Sequence, residues 1–284
     1  MPRPHVPGVE RPRHAAVGAI ILALVVTGCG GGAGGGAAPA TNAAPAPATA
    51  ASTASDRSQA VCSTWVDSDA AAASVLLHTD FATVTPEQLQ AIVKDLWSQQ
   101  EPILASMDPA PDQIRPDVEK LLVVARQGAA TGDPATLSSP DLKSSDRNID
   151  QYMLQQCGYE SVQVTATDNA YQGLPGSMAA GTVGITLSDQ GTDAHQVLVS
   201  RANDGVTQPF AEILNLPPEQ QVQVATAVGS AEADPGETST VFLRLTPGRY
   251  GAADYVTQGT TRLVAPGSGP PHYSLGIQGE FTVT

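Results

Sequence analysis

Between residues 56 and 158, apolar residues recur mostly at steps of three and four, the spacing of one face of an α-helix. Thr85 followed by Pro86 predicts the start of one helix, and Pro102 is expected to kink or end it. A polar loop is expected over residues 132–144, before a short last helix with Ile149, Met153 and Cys157 on one side. Residues 56–158 are therefore predicted to form a small helical bundle.

From Ser161 to the end the apolar period changes to two, which is typical of half-buried strands. The positions on the inner face of each run are Val162, Val164 and Ala166, then Val183, Ile185 and Leu187, then Val197 and Val199 after His195, then Val241, Leu243 and Leu245. Turn-forming Pro, Gly and Asp clusters separate these runs, and residues 209–216 suggest a helical insertion. The predicted fold class is α+β, with a β-sandwich over residues 159–284 after the bundle.

The first 55 residues are not expected to join either part. Three arginines precede an apolar run over residues 15–26, which is too short to span a membrane and is typical of a signal peptide over residues 1–28. Residues 30–55 are almost entirely Gly, Ala, Pro, Ser and Thr, and so predict a disordered tether.

The end of the apolar run, Val26-Thr27-Gly28-Cys29, resembles the lipobox of bacterial lipoproteins. The resemblance implies cleavage before Cys29 and attachment of acyl chains to it, with the tether running over residues 29–55. The protein would then be lipid-anchored at the extracytoplasmic face of the cell membrane without spanning it. The alternative is a secreted protein with a chance cysteine.

Two further cysteines remain, Cys62 and Cys157. In an exported protein such a pair is most simply a disulfide, here joining the first helix to the last, and the alternative is two buried free thiols.

The formal net charge of −14 argues against nucleic acid and anionic lipid headgroups as partners. No G-x-S-x-G, P-loop or H-E-x-x-H motif occurs, so no enzyme activity is predicted.

Four stretches resemble the cupredoxin-like domain found in actinobacterial envelope lipoproteins. They are VTATDNAYQGLP, GTVGITLSDQGTDAHQVLVSR, ADPGETSTVFLRLTPGRY and PHYSLGIQGEFTV, and the resemblance covers residues 162–283. It implies a cupredoxin-like sandwich, and in blue-copper members of the superfamily two His, one Cys and a weak axial Met hold the copper.

The blue-copper ligands match this chain only in part. The two His positions match His195 and His272, but Asp254 stands where the Cys would be, and Leu275, Gly276 and Ile277 stand where the Met would be. Without the thiolate a blue site cannot form, so an electron carrier of that kind is disfavoured.

What remains is a candidate set of two imidazoles and one carboxylate, His195, Asp254 and His272. Such a set would suit Zn²⁺ or Cu²⁺ if the three side chains converge. The alternative is that His195 is a hydrogen-bonded residue at the edge of the core and His272 is a loop residue.

Two functions follow from these alternatives. The first is a non-catalytic binding or interaction module that needs no cofactor and binds another envelope protein or a small ligand. The second is a copper- or zinc-binding protein.

Overall fold

The computed structural model describes residues 49–77, 84–262 and 267–284, with side chains from residue 57 onward. The helical part contains α1 Thr49–Leu76, α2 Pro86–Ala105, α3 Arg115–Thr131, the 3-10 helix η1 Pro134–Ser138 and α4 Pro140–Gln156. The strands and short helices that follow are β1 Glu160–Thr167, β2 Ala170–Gln172, β3 Ser177–Met178, β4 Gly181–Asp189, β5 His195–Ala202, α5 Phe210–Ile213, α6 Pro218–Val224, β6 Ala225–Ala233, β7 Thr238–Leu245, β8 Gly248–Ala253, η2 His272–Leu275 and β9 Gln278–Val283.

The predicted signal peptide over residues 1–28, Cys29 and the tether up to residue 48 lie outside the described residues. Among the residues that are described, no helix has both the length and the apolar character needed to cross a membrane.

Three predicted helix boundaries differ from the structure. Helix α1 begins at Thr49, inside the predicted tether, because the segment after Pro47 is rich in alanine, the strongest helix former. Helix α2 continues to Ala105 beyond Pro102, since a proline near the end of a helix removes only one hydrogen bond and the turn after it buries Leu104. Helix α4 begins inside the predicted polar loop, where the Ser139 hydroxyl accepts a hydrogen bond from the amide of Leu142.

The helical part has its own apolar core, and the disulfide closes it. Residues from all four helices are almost completely buried there, including Trp65, Val93, Leu121 and Met153. Cys62 in α1 and Cys157 at the end of α4, 95 residues apart, form the disulfide that the cysteine count predicts.

The strands form two sheets, and the predicted fold class is confirmed. One sheet has the order β2-β1-β4-β7, and the other has the order β3-β9-β8-β5-β6. The pairs β1/β4 and β3/β9 are parallel and the other pairs are antiparallel, so the sandwich is mixed. Its core contains the alternating residues that the period of two predicts, such as Val164, Ile185, Val197 and Leu243.

The helices pack on the outer side of β7, which is the edge strand of its sheet. Phe242 of β7 belongs to the helical core, whereas its neighbours Val241 and Leu243 belong to the sandwich core. The Asp69 carboxylate of α1 accepts a hydrogen bond from the backbone amide of Phe242 at 2.7 Å. The alternation of strand β7 therefore joins the two cores through opposite faces of one strand.

Candidate metal centre

The three predicted site residues come from three different elements. His195 is the first residue of β5, Asp254 directly follows β8, and His272 is the first residue of η2. Their exposed fractions are 0%, 0% and 1% respectively.

Sheet topology brings the first two residues together. Strands β5 and β8 are antiparallel neighbours, so the beginning of β5 and the end of β8 lie at the same end of the sandwich. His195 and Asp254 are therefore adjacent although 59 residues separate them in sequence.

A returning loop brings His272 to the same place. Backbone bridging between Thr257 and Pro271 pairs the outgoing and incoming arms of this loop. The amide of His272 then donates to the carbonyl of Val256 at 2.9 Å, and that of Tyr273 donates to the carbonyl of Asp254 at 2.7 Å. The long sequence gap between Asp254 and His272 is thus closed by hydrogen bonds at the base of the loop.

One nitrogen from each imidazole and one carboxylate oxygen converge. Nδ1 of His195 lies 2.7 Å from Oδ2 of Asp254, and Nδ1 of His272 lies 3.5 Å from the same oxygen. Each residue offers one ligand atom, and all three atoms lie within 4.8 Å of one another. The other oxygen of Asp254 accepts a hydrogen bond from the amide of Val256, which fixes the carboxylate orientation.

The outer nitrogens of both imidazoles face carboxylates. Nε2 of His195 lies 3.4 Å from Oδ1 of Asp168, and Nε2 of His272 lies 3.3 Å from Oδ2 of Asp193. A carboxylate at Nε2 favours the proton on that nitrogen and leaves the Nδ1 lone pair for a metal ion. This is the arrangement in which carboxylates commonly orient metal-bound histidines.

The two outer carboxylates are themselves held by the backbone. Oδ1 of Asp168 accepts hydrogen bonds from the amides of Thr192 and Asp193, and Oδ2 of Asp193 accepts one from the amide of Gly259. Although burial alone would raise the pKa of Asp168, these amides, the Thr192 hydroxyl and His195 hold it below its ordinary value. Asp168 is therefore an anion ready to accept from His195.

The electrostatic surroundings also act on His195. Burial is the largest single influence and would lower the pKa of its imidazole. The hydrogen bond to Asp254 and the charge of Asp254, together with Asp189 and Asp168, outweigh burial and raise that pKa above its ordinary value. Without a metal ion, the His195 imidazole therefore holds a proton more readily than a free imidazole does. A metal ion would take the place of the Nδ1 proton, since metal binding requires that nitrogen deprotonated.

His272 provides the test of whether the site fits a metal ion. Its Nδ1 is buried and has no hydrogen-bond partner among the described residues. A buried polar atom without a partner costs about 1–3 kcal/mol, and native proteins rarely leave one without a reason. A cation between this nitrogen, Nδ1 of His195 and Asp254 would satisfy it, so the residues present fit the group.

Blue-copper chemistry does not fit the centre. Asp254 occupies the position at which the resemblance would place a thiolate. Both cysteines in the described part of the chain are joined to each other in the disulfide. None of the described residues therefore offers a thiolate to these imidazoles.

Sequence reasoning missed Asp168 and Asp193. Both lie in polar turns, Asp168 directly after β1 and Asp193 between β4 and β5. The available signal was the clustering of acidic residues in the turns next to His195. Asp189 belongs to the same group, since burial raises its pKa to about 6 and its Oδ1 accepts from the amide of Gly191.

Solved structures that resemble this chain include two auracyanins and a rusticyanin. An auracyanin from Roseiflexus castenholzii is 18% identical over 45% of this chain and 99% of its own, with a TM-score of 0.30. Auracyanin A from Chloroflexus aurantiacus, described as a "blue" copper protein, is 18% identical over 45% of this chain and 100% of its own, with a TM-score of 0.30. Rusticyanin from Thiobacillus ferrooxidans is 14% identical over 44% of this chain and 78% of its own, with a TM-score of 0.28.

No family model matches the chain, and no curated protein matches its sequence. The structural likeness is low in both score and identity and does not show what this chain binds.

Proposed function

We propose that this protein binds Cu²⁺ or Zn²⁺ through Nδ1 of His195, Nδ1 of His272 and Oδ2 of Asp254. The observation that carries the proposal is the buried Nδ1 of His272, which has no hydrogen-bond partner among the described residues and faces Asp254. The outer carboxylates of Asp168 and Asp193 support it, because they orient both lone pairs toward the same point.

The donor set selects the ion. Two imidazoles and a carboxylate suit Cu²⁺ and Zn²⁺, whereas Cu⁺ prefers thiolate and thioether ligands. Cu²⁺ should bind more tightly than Zn²⁺, as it does at most nitrogen and oxygen sites. Bound there, the ion would be held for storage, delivery or sensing, and we propose no catalytic role.

An interaction module without a metal ion explains the site less well. Hydrogen bonding to Asp254 would satisfy Nδ1 of His195 in such a module, but Nδ1 of His272 would remain without a hydrogen-bond partner among the described residues. We therefore favour the copper- or zinc-binding protein, although the sequence alone favours the interaction module.

We place this metal-binding protein at the extracytoplasmic face of the cell membrane, anchored through acylated Cys29, as an envelope lipoprotein of the actinobacterial type. The lipobox-like sequence at Cys29 supports this location. The disulfide supports it too, because disulfides are typical of proteins exported to oxidising compartments. Its partner would be another envelope component that supplies or receives the ion. Incorporation of labelled palmitate into the full chain, and its loss in Cys29→Ser, would support the anchor; equal labelling of both chains would overturn it.

Calorimetric titration of the metal-free full chain with Cu²⁺ and with Zn²⁺ tests the metal proposal. One ion per chain should bind, Cu²⁺ more tightly, and His272→Ala should weaken binding by more than about 100-fold, because even outer partners of metal ligands contribute about 10–100-fold. The matched control is Asp204→Asn, whose carboxylate is exposed and pairs with Arg201 away from the centre. A flat isotherm for the unaltered chain, or equal affinity in His272→Ala, contradicts the proposal.

A further inference from the structure

A second group of neighbouring carboxylates lies between the helices and the sandwich. It lines a cavity of about 230 Å³ bounded by α1, α2 and α4 on one side and by β7 on the other. An apolar cavity of about 150 Å³ in a protein core is large enough to hold benzene. The space is therefore sufficient for a small organic molecule.

Most of the cavity wall is apolar. Leu76, Leu96, Leu104 and the indoles of Trp65 and Trp97 contribute to it. Both indole N–H groups already have partners, since Trp65 donates to Asp150 at 2.9 Å and Trp97 donates to Thr136 at 2.9 Å. The rings thus offer apolar surface to an occupant rather than unmet hydrogen bonds.

Five carboxylates line the same cavity, those of Asp69, Asp146 and Asp150 on the helices and those of Glu232 and Glu237 on the sandwich side. The described residues form one hydrogen bond to a carboxylate oxygen of Asp69, from the amide of Phe242, and one to Asp150, from the indole of Trp65. Burial and the neighbouring carboxylates raise the pKa of both Asp69 and Asp150 well above its ordinary value. Without a cation beside them, the carboxylates of Asp69 and Asp150 are therefore less readily ionised than ordinary carboxylates.

The basic residues of the cavity serve other carboxylates. Lys143 interacts mainly with Asp234 and Glu237, and Arg147 stabilises the charge of Asp146. In the part of the chain that the structure describes, no ion pair reaches Asp69 or Asp150. Asp150, 6% exposed, is thus a buried acid without a cationic partner there.

We propose that this cavity binds a small organic cation, such as a primary amine with an apolar body. The ammonium group would lie against the carboxylates of Asp69 and Asp150, and the body against Trp97, Leu96 and Leu104. The ammonium group would supply the positively charged partner that Asp69 and Asp150 lack among the described residues, and the apolar wall would accommodate the rest of the molecule. This site is independent of the proposed metal centre.

Benzylamine, benzyl alcohol and benzoate form a matched set of probes, because they share a ring and differ mainly in charge. The only two tryptophans of the chain both line the cavity, so their fluorescence reports on its occupancy. The full chain is titrated at pH 7 with a metal chelator present, which separates the outcome from metal binding. Benzylamine should bind at least about tenfold more tightly than benzyl alcohol, as expected for charged over neutral hydrogen bonds, and benzoate should not bind.

Asp150→Asn tests the carboxylate, since the amide oxygen can still accept from Trp65. We expect it to weaken benzylamine binding by about tenfold or more and to leave benzyl alcohol binding unchanged. The matched control is Asp95→Asn, at an exposed position of α2 that does not line the cavity. The comparison of the three probes on the unaltered chain needs no variant to fold.

Three results would overturn the proposal. The first is no fluorescence change with benzylamine, and the second is equal binding of benzylamine and benzyl alcohol. The third is undiminished benzylamine binding by a folded Asp150→Asn chain.

Discussion

The two buried polar regions of this protein differ in how their charges are arranged. At the end of the sandwich, acids and imidazoles alternate in the order Asp168, His195, Asp254, His272, Asp193, with neighbouring atoms 2.7–3.5 Å apart. In the cavity beside β7, the carboxylates of Asp69 and Asp150 have no cationic partner among the described residues. The comparison teaches that burial alone does not define a metal site.

What distinguishes the proposed metal centre is the orientation of its nitrogen and oxygen atoms. Both imidazoles have a carboxylate at the outer nitrogen, so that the inner nitrogens point to one oxygen of Asp254. The cavity instead offers acids against an apolar wall. A metal ion suits the first arrangement, and an organic cation with an apolar body suits the second.

The largest expected effect is on the stability of the helical part, which the disulfide closes. Replacing both Cys62 and Cys157 with serine should lower the free energy of unfolding by about 4–5 kcal/mol in the chain-entropy model, because the disulfide closes a long loop. Urea denaturation followed by tryptophan fluorescence measures this loss. The Zn²⁺ affinity of the folded variant should be unchanged, since the proposed metal centre lies in the sandwich. A parallel loss of Zn²⁺ affinity would show that the proposed metal centre depends on the helical part.

The next largest effect concerns Asp254. With Asp254→Cys a thiolate would join the two inner imidazole nitrogens, so we expect an intense blue copper–thiolate absorption on adding Cu²⁺. Asp254→Asn is the matched variant and should stay colourless, with metal affinity lowered by more than about 100-fold. A colourless copper complex of Asp254→Cys would mean that position 254 does not face both imidazoles.

A smaller effect is expected from the outer carboxylates. Asp193→Ala should weaken metal binding by about 10–100-fold, because His272 loses the acceptor that orients it. Asp193→Asn should lose less, since its amide oxygen can still accept from Nε2. Calorimetry measures the metal affinity of both variants. Equal affinity of Asp193→Ala and the unaltered chain would show that Asp193 does not orient His272 for metal binding.

The smallest effect is the pH dependence of the acids in the cavity. Burial raises the pKa of Asp146 from 3.8 to about 6, so the folded chain holds this proton more tightly than the unfolded chain does. Its contribution to stability is full below about pH 4 and is lost as the pH rises through about 6.

Unfolding free energies at pH 4 and pH 7, measured with a chelator present, check this sign. The unaltered chain should lose stability relative to Asp146→Asn over this interval. An unchanged difference, or one of opposite sign, would contradict the assignment. Asp95→Asn serves as the exposed control.

Short-range sequence patterns predicted most of the fold. The change of apolar period near residue 160 separated helices from strands, because each period reports which side of a single element is buried. The N-terminus of α4 was predicted as loop because Ser139 and Pro140 lie in a polar stretch, where only the N-cap residue marks the start of the helix.

Of the candidate centre, the sequence predicted the three inner donors but not their support. His195, Asp254 and His272 follow from the resemblance to the ligand positions of cupredoxins, whereas Asp168 and Asp193 reach the imidazoles only because separate turns meet in space. The cavity was not predicted at all. Asp69 and Asp150 lie on helices, and no local pattern tells whether such an acid faces solvent or the outer side of β7.

The most direct test of the central claim is an anomalous-difference map from crystals of the full chain grown with Zn²⁺ and measured at the zinc edge. We expect one strong peak about 2.0–2.2 Å from Nδ1 of His195, Nδ1 of His272 and Oδ2 of Asp254. A map with no peak between these three atoms, in crystals that contain zinc elsewhere, would contradict it.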